Sequence, residues 1–268
     1  MMRWEHLTVP GFRNAVETCE GVGLIPIGVL EPHATHLPLG TDVLSAHWVA
    51  VKAAAEEPVV VFPQYAFGIN HESAHLPGSV VIKRDLVFAL LENICEEMSR
   101  QGLKKIILLS GHGGNRYMLP LFIQTLMETE RDFCAYFANL PAFPDAEKVL
   151  DTEETGHACE AETSNMLYMF PELVKMEDLP DGDSPSLERN QALKAIGAYS
   201  PLDWYAMYPR MYVGDAHSAT AEKGRFMMDR YVQSLVTLIR GIKDDTITPD
   251  MMKDFQSAAK APPSPWEA

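Results

Sequence analysis

Short apolar runs of strand length alternate with longer amphipathic stretches, and this alternation limits the folds open to the chain. Val22–Leu30, Val59–Phe62, Lys105–Ser110 and Phe133–Ala138 are almost unbroken apolar runs. Between them, Thr41–Glu57, Arg84–Gln101 and Asn115–Glu128 carry apolar residues at helical spacing, and Gly102 stops the second of these. Strands apolar on both faces, separated by helices, predict an α/β three-layer sandwich with a mostly parallel sheet covered on both sides. In such sheets ligands gather at the carboxyl ends of the strands. Further helices are expected at Ala158–Phe170 and Ala219–Ile242, with a polar connection over Pro141–Thr155. No repeat and no composition break divides residues 1–268, so one domain is expected. It ends in a polar tail at about 247–268, with Pro262, Pro263 and Pro265, that wraps the surface or a neighbouring subunit.

Charge narrows the function. Against 22 Lys and Arg stand 37 Asp and Glu, a net charge of −15, which repels nucleic acid and anionic membranes. No apolar run approaches the ~18 residues of a membrane span, and no signal-like segment follows the amino terminus. Cys19, Cys95, Cys134 and Cys159 form no C-x-x-C pair, so buried thiols in a reducing, cytoplasmic setting are expected.

Polar chemistry concentrates where strands should end. Glu31, His33 and Asp42 follow the first strand and open the next helix; two carboxylates and an imidazole suit Zn²⁺ or Mn²⁺. Asp42 alone also reads as a helix cap, and His36 as a packing or supporting residue. Ser110-Gly111-His112-Gly113-Gly114-Asn115 forms a glycine turn at the next strand end. His112 there is a candidate ligand, and Gly113 belongs to a set of backbone N–H donors for an anion or oxyanion. His157 and Glu162 share a third segment. Glu160 beside them reads as a solvated helix position, and Cys159 as a buried thiol rather than a nucleophile. The glycine-rich loop holding Asn70, His71, Glu72, His75 and Ser79 suggests a pocket wall, with His71 and His75 as weaker ligand candidates. Ser79 would bond substrate or cap a turn.

Together these blocks resemble the creatininase (creatinine amidohydrolase) family. The resemblance rests on Glu31-x-His33-x-x-His36-Leu37-Pro38-x-x-Thr41-Asp42, Pro77-Gly78-Ser79, Gly111-His112-Gly113-Gly114-Asn115, His157-Ala158-x-x-x-Glu162-Thr163-Ser164 and Ala219-Thr220-Ala221-Glu222-Lys223-Gly224, in the family's order. It implies two divalent ions per chain, Zn and/or Mn, a hydrolytic reaction usually at a C–N bond, a small-molecule substrate and a homo-oligomer, commonly a hexamer. By resemblance Glu31, His33, Asp42 and His112 are metal ligands, with Asp42 bridging the ions. Glu162 is a carboxylate at the metal site that also serves catalysis, and His157 handles the substrate or its proton. Two departures are visible. Creatinine-cleaving members have a ligand glutamate at the position of Gly114, and tryptophans over the substrate just before the position of His157, where this chain has Glu153-Glu154-Thr155-Gly156. Creatinine is therefore not the expected substrate. Three functions follow for test: hydrolysis of a cyclic amide or formamide, ring opening of an oxidised cyclitol of the 3-dehydro-scyllo-inosose type, and a non-catalytic metal-binding module.

Overall fold

The computed structural model describes residues 2–141, 143–262 and 264. In chain order, helix α1 (Val9–Thr18) leads into strand β1 (Val22–Ile27), then α2 (Thr41–Glu56), β2 (Val60–Val61), α3 (Arg84–Arg100), β3 (Lys105–Ser110), α4 (Asn115–Thr125) and β4 (Cys134–Ala138). After β4 come α5 (Glu160–Met169), two short helices, α6 (Gln191–Ala195) and α7 (Asp203–Met207), and the long α8 (Ala221–Asp244) and α9 (Ile247–Lys260). The strands pair in parallel in the order β2–β1–β3–β4. Val22 of β1 faces Lys105 of β3 in register, and Lys105 faces Cys134 of β4.

Side-chain alternation splits the core into two layers. Val22, Leu24, Ile107 and Leu109 pack against Val49 and Ala53 of α2, Met166 of α5 and Leu235 and Ile239 of α8. Ile25, Ile27, Ile106 and Leu108 pack on the opposite face against Val87, Leu91 and Met98 of α3 and Leu119 and Phe122 of α4. These two cores make the three-layer arrangement. All four cysteines are buried and free, and no helix among the described residues is long and apolar enough to cross a membrane.

The elements depart from the expected boundaries in ways that have causes. The first run stops pairing at Ile27, because Gly28–Leu30 leaves the sheet to reach the loop before α2. The helix α1 was not legible as one. It is short, and it starts where the Thr8 hydroxyl accepts the Gly11 N–H at 3.3 Å. The first part of the polar tail is a helix: Ile247–Lys260 lies against β4 and donates from Gln256 Nε2 to the Arg131 carbonyl at 2.9 Å. Its polarity reflects a helix with no fully buried residue. The last part of the expected tail, residues 263 and 265–268, lies outside the described residues.

Helices α5 and α8 approach unusually closely at Gly224. A Cβ there would stand 1.9 Å from the Ser164 carbonyl oxygen, whereas one at Gly241 in the same helix would meet nothing within 4 Å. Alanine adds about 1 kcal/mol of helix propensity at either site. At Gly224 that gain is exceeded by overpacking against backbone, about 1–3 kcal/mol or more. Gly224→Ala should therefore lower stability by about 2 kcal/mol in denaturant unfolding, and Gly241→Ala should hold or raise it.

Candidate metal centre

The sheet places a crevice between β1 and β3. From β1 the chain moves outward to β2, and from β3 it moves the other way to β4. Loops leaving β1 and β3 therefore diverge, opening a ligand site at their carboxyl ends. The first turn of α2 is pressed into this crevice. A Cβ on Gly28 would lie 2.5 Å from Val43 N, and one on Gly111 would lie 2.5 Å from the Asp42 carbonyl oxygen. Only glycine at both strand ends lets Asp42 sit between them. Asp42 makes no capping hydrogen bond to the helix, so the cap reading of this residue does not hold. Its carboxylate is free for the cluster.

Around it Glu31, His33, Asp42, His112 and His157 are all buried, and Glu162 is partly so. His33 Nε2 lies 3.2 Å from Asp42 Oδ1 and 3.9 Å from Glu162 Oε2. His112 Nδ1 lies 3.0 Å from Glu31 Oε1 and 3.1 Å from Asp42 Oδ2. Potential ligand atoms fall into three triads within 4.8 Å: Glu31, Asp42 and His112; His33, Asp42 and Glu162; and Glu31, His33 and His157. Asp42 thus presents one oxygen to the His112 side and the other to the His33 side. His33 Nδ1 meets the Glu31 carbonyl oxygen at 3.2 Å; donation there sets the tautomer that leaves Nε2 as a ligand atom.

The donor set fits divalent cations. Glu31 Oε2 is buried without a hydrogen-bond partner, and an unpartnered buried carboxylate oxygen is costly unless a cation faces it. Burial alone would push the Glu31 carboxyl up, but the imidazoles of His112 and His157 hold it well below the usual range. Burial likewise disfavours charge on His33, yet Asp42 and Glu162 raise it to about 9. His112 is raised above its ordinary value against the same burial, by Glu31 and Asp42. The carboxylates create a field that favours positive charge at each imidazole, and the same field favours a metal ion.

The other expected site residues divide. His157 stacks on His33 with ring centroids 4.1 Å apart; its Nε2 is 3.0 Å from Glu31 Oε1, and its Nδ1 meets the Met211 carbonyl oxygen at 3.1 Å. It borders the cluster directly. His71 and Gly113 line a cavity of about 630 Å³ that opens onto the cluster, and Gly113 also lines a smaller one of about 330 Å³. His75 and Ser79, expected at the substrate, line neither cavity. His75 Nε2 bonds the Pro209 carbonyl at 2.7 Å, and Ser79 donates to the Ser73 carbonyl at 2.7 Å, closing a turn. Glu160 is not solvated: it is fully buried and accepts from the Asp151 and Thr152 N–H groups, the Thr152 hydroxyl and Lys223. That ties α5 to α8 and to the preceding loop. Burial pushes the Cys159 thiol up to about 11, consistent with an inert thiol.

Glu72, read from the sequence as pocket wall, meets the cluster directly, and Trp204 joins it with no sequence signal. Glu72 Oε1 lies 3.3 Å from His112 Nε2. A Cβ at Gly114 would stand 2.5 Å from His112 Nε2 and 3.0 Å from Glu72 Oε1, so no side chain fits at 114 and carboxylates arrive from Glu162 and Glu72 instead. Trp204 lies against His157, ring centroids 5.8 Å apart, and lines the larger cavity. The segment just before His157 carries no aromatic residue, and an aromatic ring reaches the cavity from α7 instead, far along the chain.

Comparison with known proteins matches residues 5–239 to the creatininase family model, described as creatinine amidohydrolase. The chain belongs to the creatininase family. Among curated relatives, a 3-dehydro-scyllo-inosose hydrolase of Thermotoga maritima is 25% identical, covering 97% of this chain and 86% of that protein. A mycofactocin precursor peptide peptidase of Mycolicibacterium smegmatis is 29% identical, covering 83% and 85%. A crystal structure of creatinine amidohydrolase superposes with a TM-score of 0.74 at 22% identity, covering 91% of this chain and 99% of that one. Creatininase structures of Zn–Zn type and with Mn share the fold. The chain is thus a creatininase-family hydrolase with buried His, Glu and Asp clusters suited to metal.

His36 supports the site from outside. A 2.8 Å hydrogen bond joins its Nε2 to the Thr163 hydroxyl next to Glu162. Burial, helped by His33, pushes His36 down to about 4. An unfolded histidine titrates near 6.5, so between these values the unfolded chain binds the extra proton. Stability falls on acidification through that window and is restored above it. Replacing the proton-binding ring, His36→Gln should flatten the stability–pH slope between about pH 4 and 6.5 by up to about 1.4 kcal/mol per pH unit, measured by urea unfolding. Within the cluster, Asp42→Ala should remove most bound metal, read by elemental analysis, because both sides of the cluster lose a ligand. Full metal content in that variant would exclude the bridge.

Proposed function

We propose that this creatininase-family chain hydrolyses a C–N bond of a cyclic amide or formamide-type small molecule, using two divalent ions, Zn and/or Mn. The observation that carries the proposal is Asp42, which offers one buried carboxylate oxygen to each of two ligand triads at the mouth of a cavity. Glu31, Asp42 and His112 would hold one ion, and His33, Asp42 and Glu162 the other. Bound there, such ions supply Lewis acidity and lower the pKa of a water toward neutrality.

The chain's own residues then have separable tasks. The N–H groups of Gly113 and Gly114 join no internal hydrogen bond among the described residues; at the start of α4 they can donate to oxygen charge developing on the attacked carbonyl. His157, held through Nδ1 by the Met211 carbonyl, keeps Nε2 toward the cluster and can carry a proton to the leaving nitrogen. Glu162 accepts the Ala158 N–H, which orients its carboxylate, and can take the proton from the attacking water. Trp204 and Met211 line the cavity beside His157. A homo-oligomeric, cytoplasmic enzyme acting on a small molecule is part of the same proposal.

Ring opening of an oxidised cyclitol is the second reading. It is favoured by the match to an inosose hydrolase over 97% of this chain and by the polar His71 and Glu72 on the cavity wall. A screen of cyclic amides, formamides and inososes with the Zn- or Mn-loaded protein separates the two. On whichever substrate is turned over, His157→Ala should keep the metal and lower kcat by about 10²–10⁴. Loss of metal comparable to that of Asp42→Ala would make His157 a ligand instead.

A further inference from the structure

One cation at the site is unused by the fold. Arg116 lines both cavities that flank the cluster of carboxylates and imidazoles. It is the second residue of α4, a helix with no acidic residue in its first turn. A positive charge there opposes the helix dipole, so helix stability does not explain it. Its guanidinium is nevertheless held: Nη1 donates to the Gly113 carbonyl at 3.2 Å, and the group stacks on the Tyr117 ring at 4.6 Å. No ion pair joins it among the described residues, although acidic residues outnumber basic ones 37 to 22. Arg84, also on the larger cavity, is instead tied to Asp85 at 2.8 Å.

We propose that Arg116 recognises a carboxylate on the substrate, so that the amide or ring being opened belongs to an anionic molecule. The inference rests on the hydrolase reading above and deepens it. A held guanidinium with free N–H groups matches a carboxylate through paired hydrogen bonds. Glu31, Asp42, Glu72 and Glu162 line the larger cavity as well, and their charge would repel an anion unless metal neutralised them. Arg116 then provides the charge that distinguishes an anionic substrate from a neutral one, on the wall shared by both cavities.

The test uses the Zn-loaded protein and two matched sets of hydroxamates, which chelate metal and resist hydrolysis. One set is the monohydroxamates of malonic, succinic and glutaric acids; the other carries a carboxamide in place of the free carboxylate. Calorimetric titration should show at least one carboxylate probe binding about tenfold or more tightly than its neutral counterpart. Arg116→Gln, checked for parental metal content and melting temperature, should abolish that preference. Arg116→Lys should recover part of it, and Arg116→Glu should reverse it. Equal binding of both sets to the parent protein, or a preference that survives Arg116→Gln, overturns the proposal while leaving the metal reading intact. If no hydroxamate of either set binds, the metal reading fails and this proposal falls with it.

Discussion

The site depends on one close approach: the first turn of α2 against the ends of β1 and β3. Glycine at 28 and 111 lets backbone meet backbone there, and the contact drives Asp42 between two strand-end loops. With Asp42 buried and not capping its helix, its charge must be met from outside the helix. His33 and His112, brought by the β1 and β3 loops, meet it on opposite oxygens. An isolated buried carboxylate is strongly unfavourable. The fold therefore holds a group of acids and imidazoles that is self-consistent when cations neutralise it.

A second constraint fixes the other wall. Glu162 stands on α5, and α5 is clamped to α8 where Gly224 meets the Ser164 backbone and Lys223 meets Glu160. The Glu222-Lys223-Gly224 triplet, remote from the cluster in sequence, acts on it by placing the helix that carries Glu162. His36 extends the same support from the β1 loop through Thr163. Residues that never touch substrate thus set the spacing of those that would.

The supply of carboxylates also bears on specificity. Gly114 leaves no room for a side chain, because His112 and Glu72 occupy the space a Cβ would need. A ligand from that position is sterically excluded, and Glu162 and Glu72 reach the cluster from other elements. Aromatic cover follows the same logic: the segment just before His157 carries none, and Trp204 of α7 lies against the ring instead. Equivalent chemistry can thus be assembled from different parts of a chain, which weakens substrate assignment by motif alone.

The sequence by itself determined the sheet, its alternation with helices and the strand-end clusters. Apolar periodicity and glycine turns are local: Glu31, His33 and His112 lie in the loops that leave β1 and β3, and Asp42 lies in the first turn of the next helix. It also marked His157 and Glu162, through a segment that resembles a family block. Only the tertiary structure decided that Glu160 is a buried anchor while Glu162 faces His33 and Asp42, since two residues on one helix differ by the partner each meets. It gave His75 and Ser79 backbone partners, Ser79 in a turn, set Glu72 of the pocket wall against His112, and added Trp204 and Arg116 to the cavity lining. Trp204 and Glu72 meet the cluster through contacts between segments far apart in sequence, and such contacts leave no periodic trace in the chain.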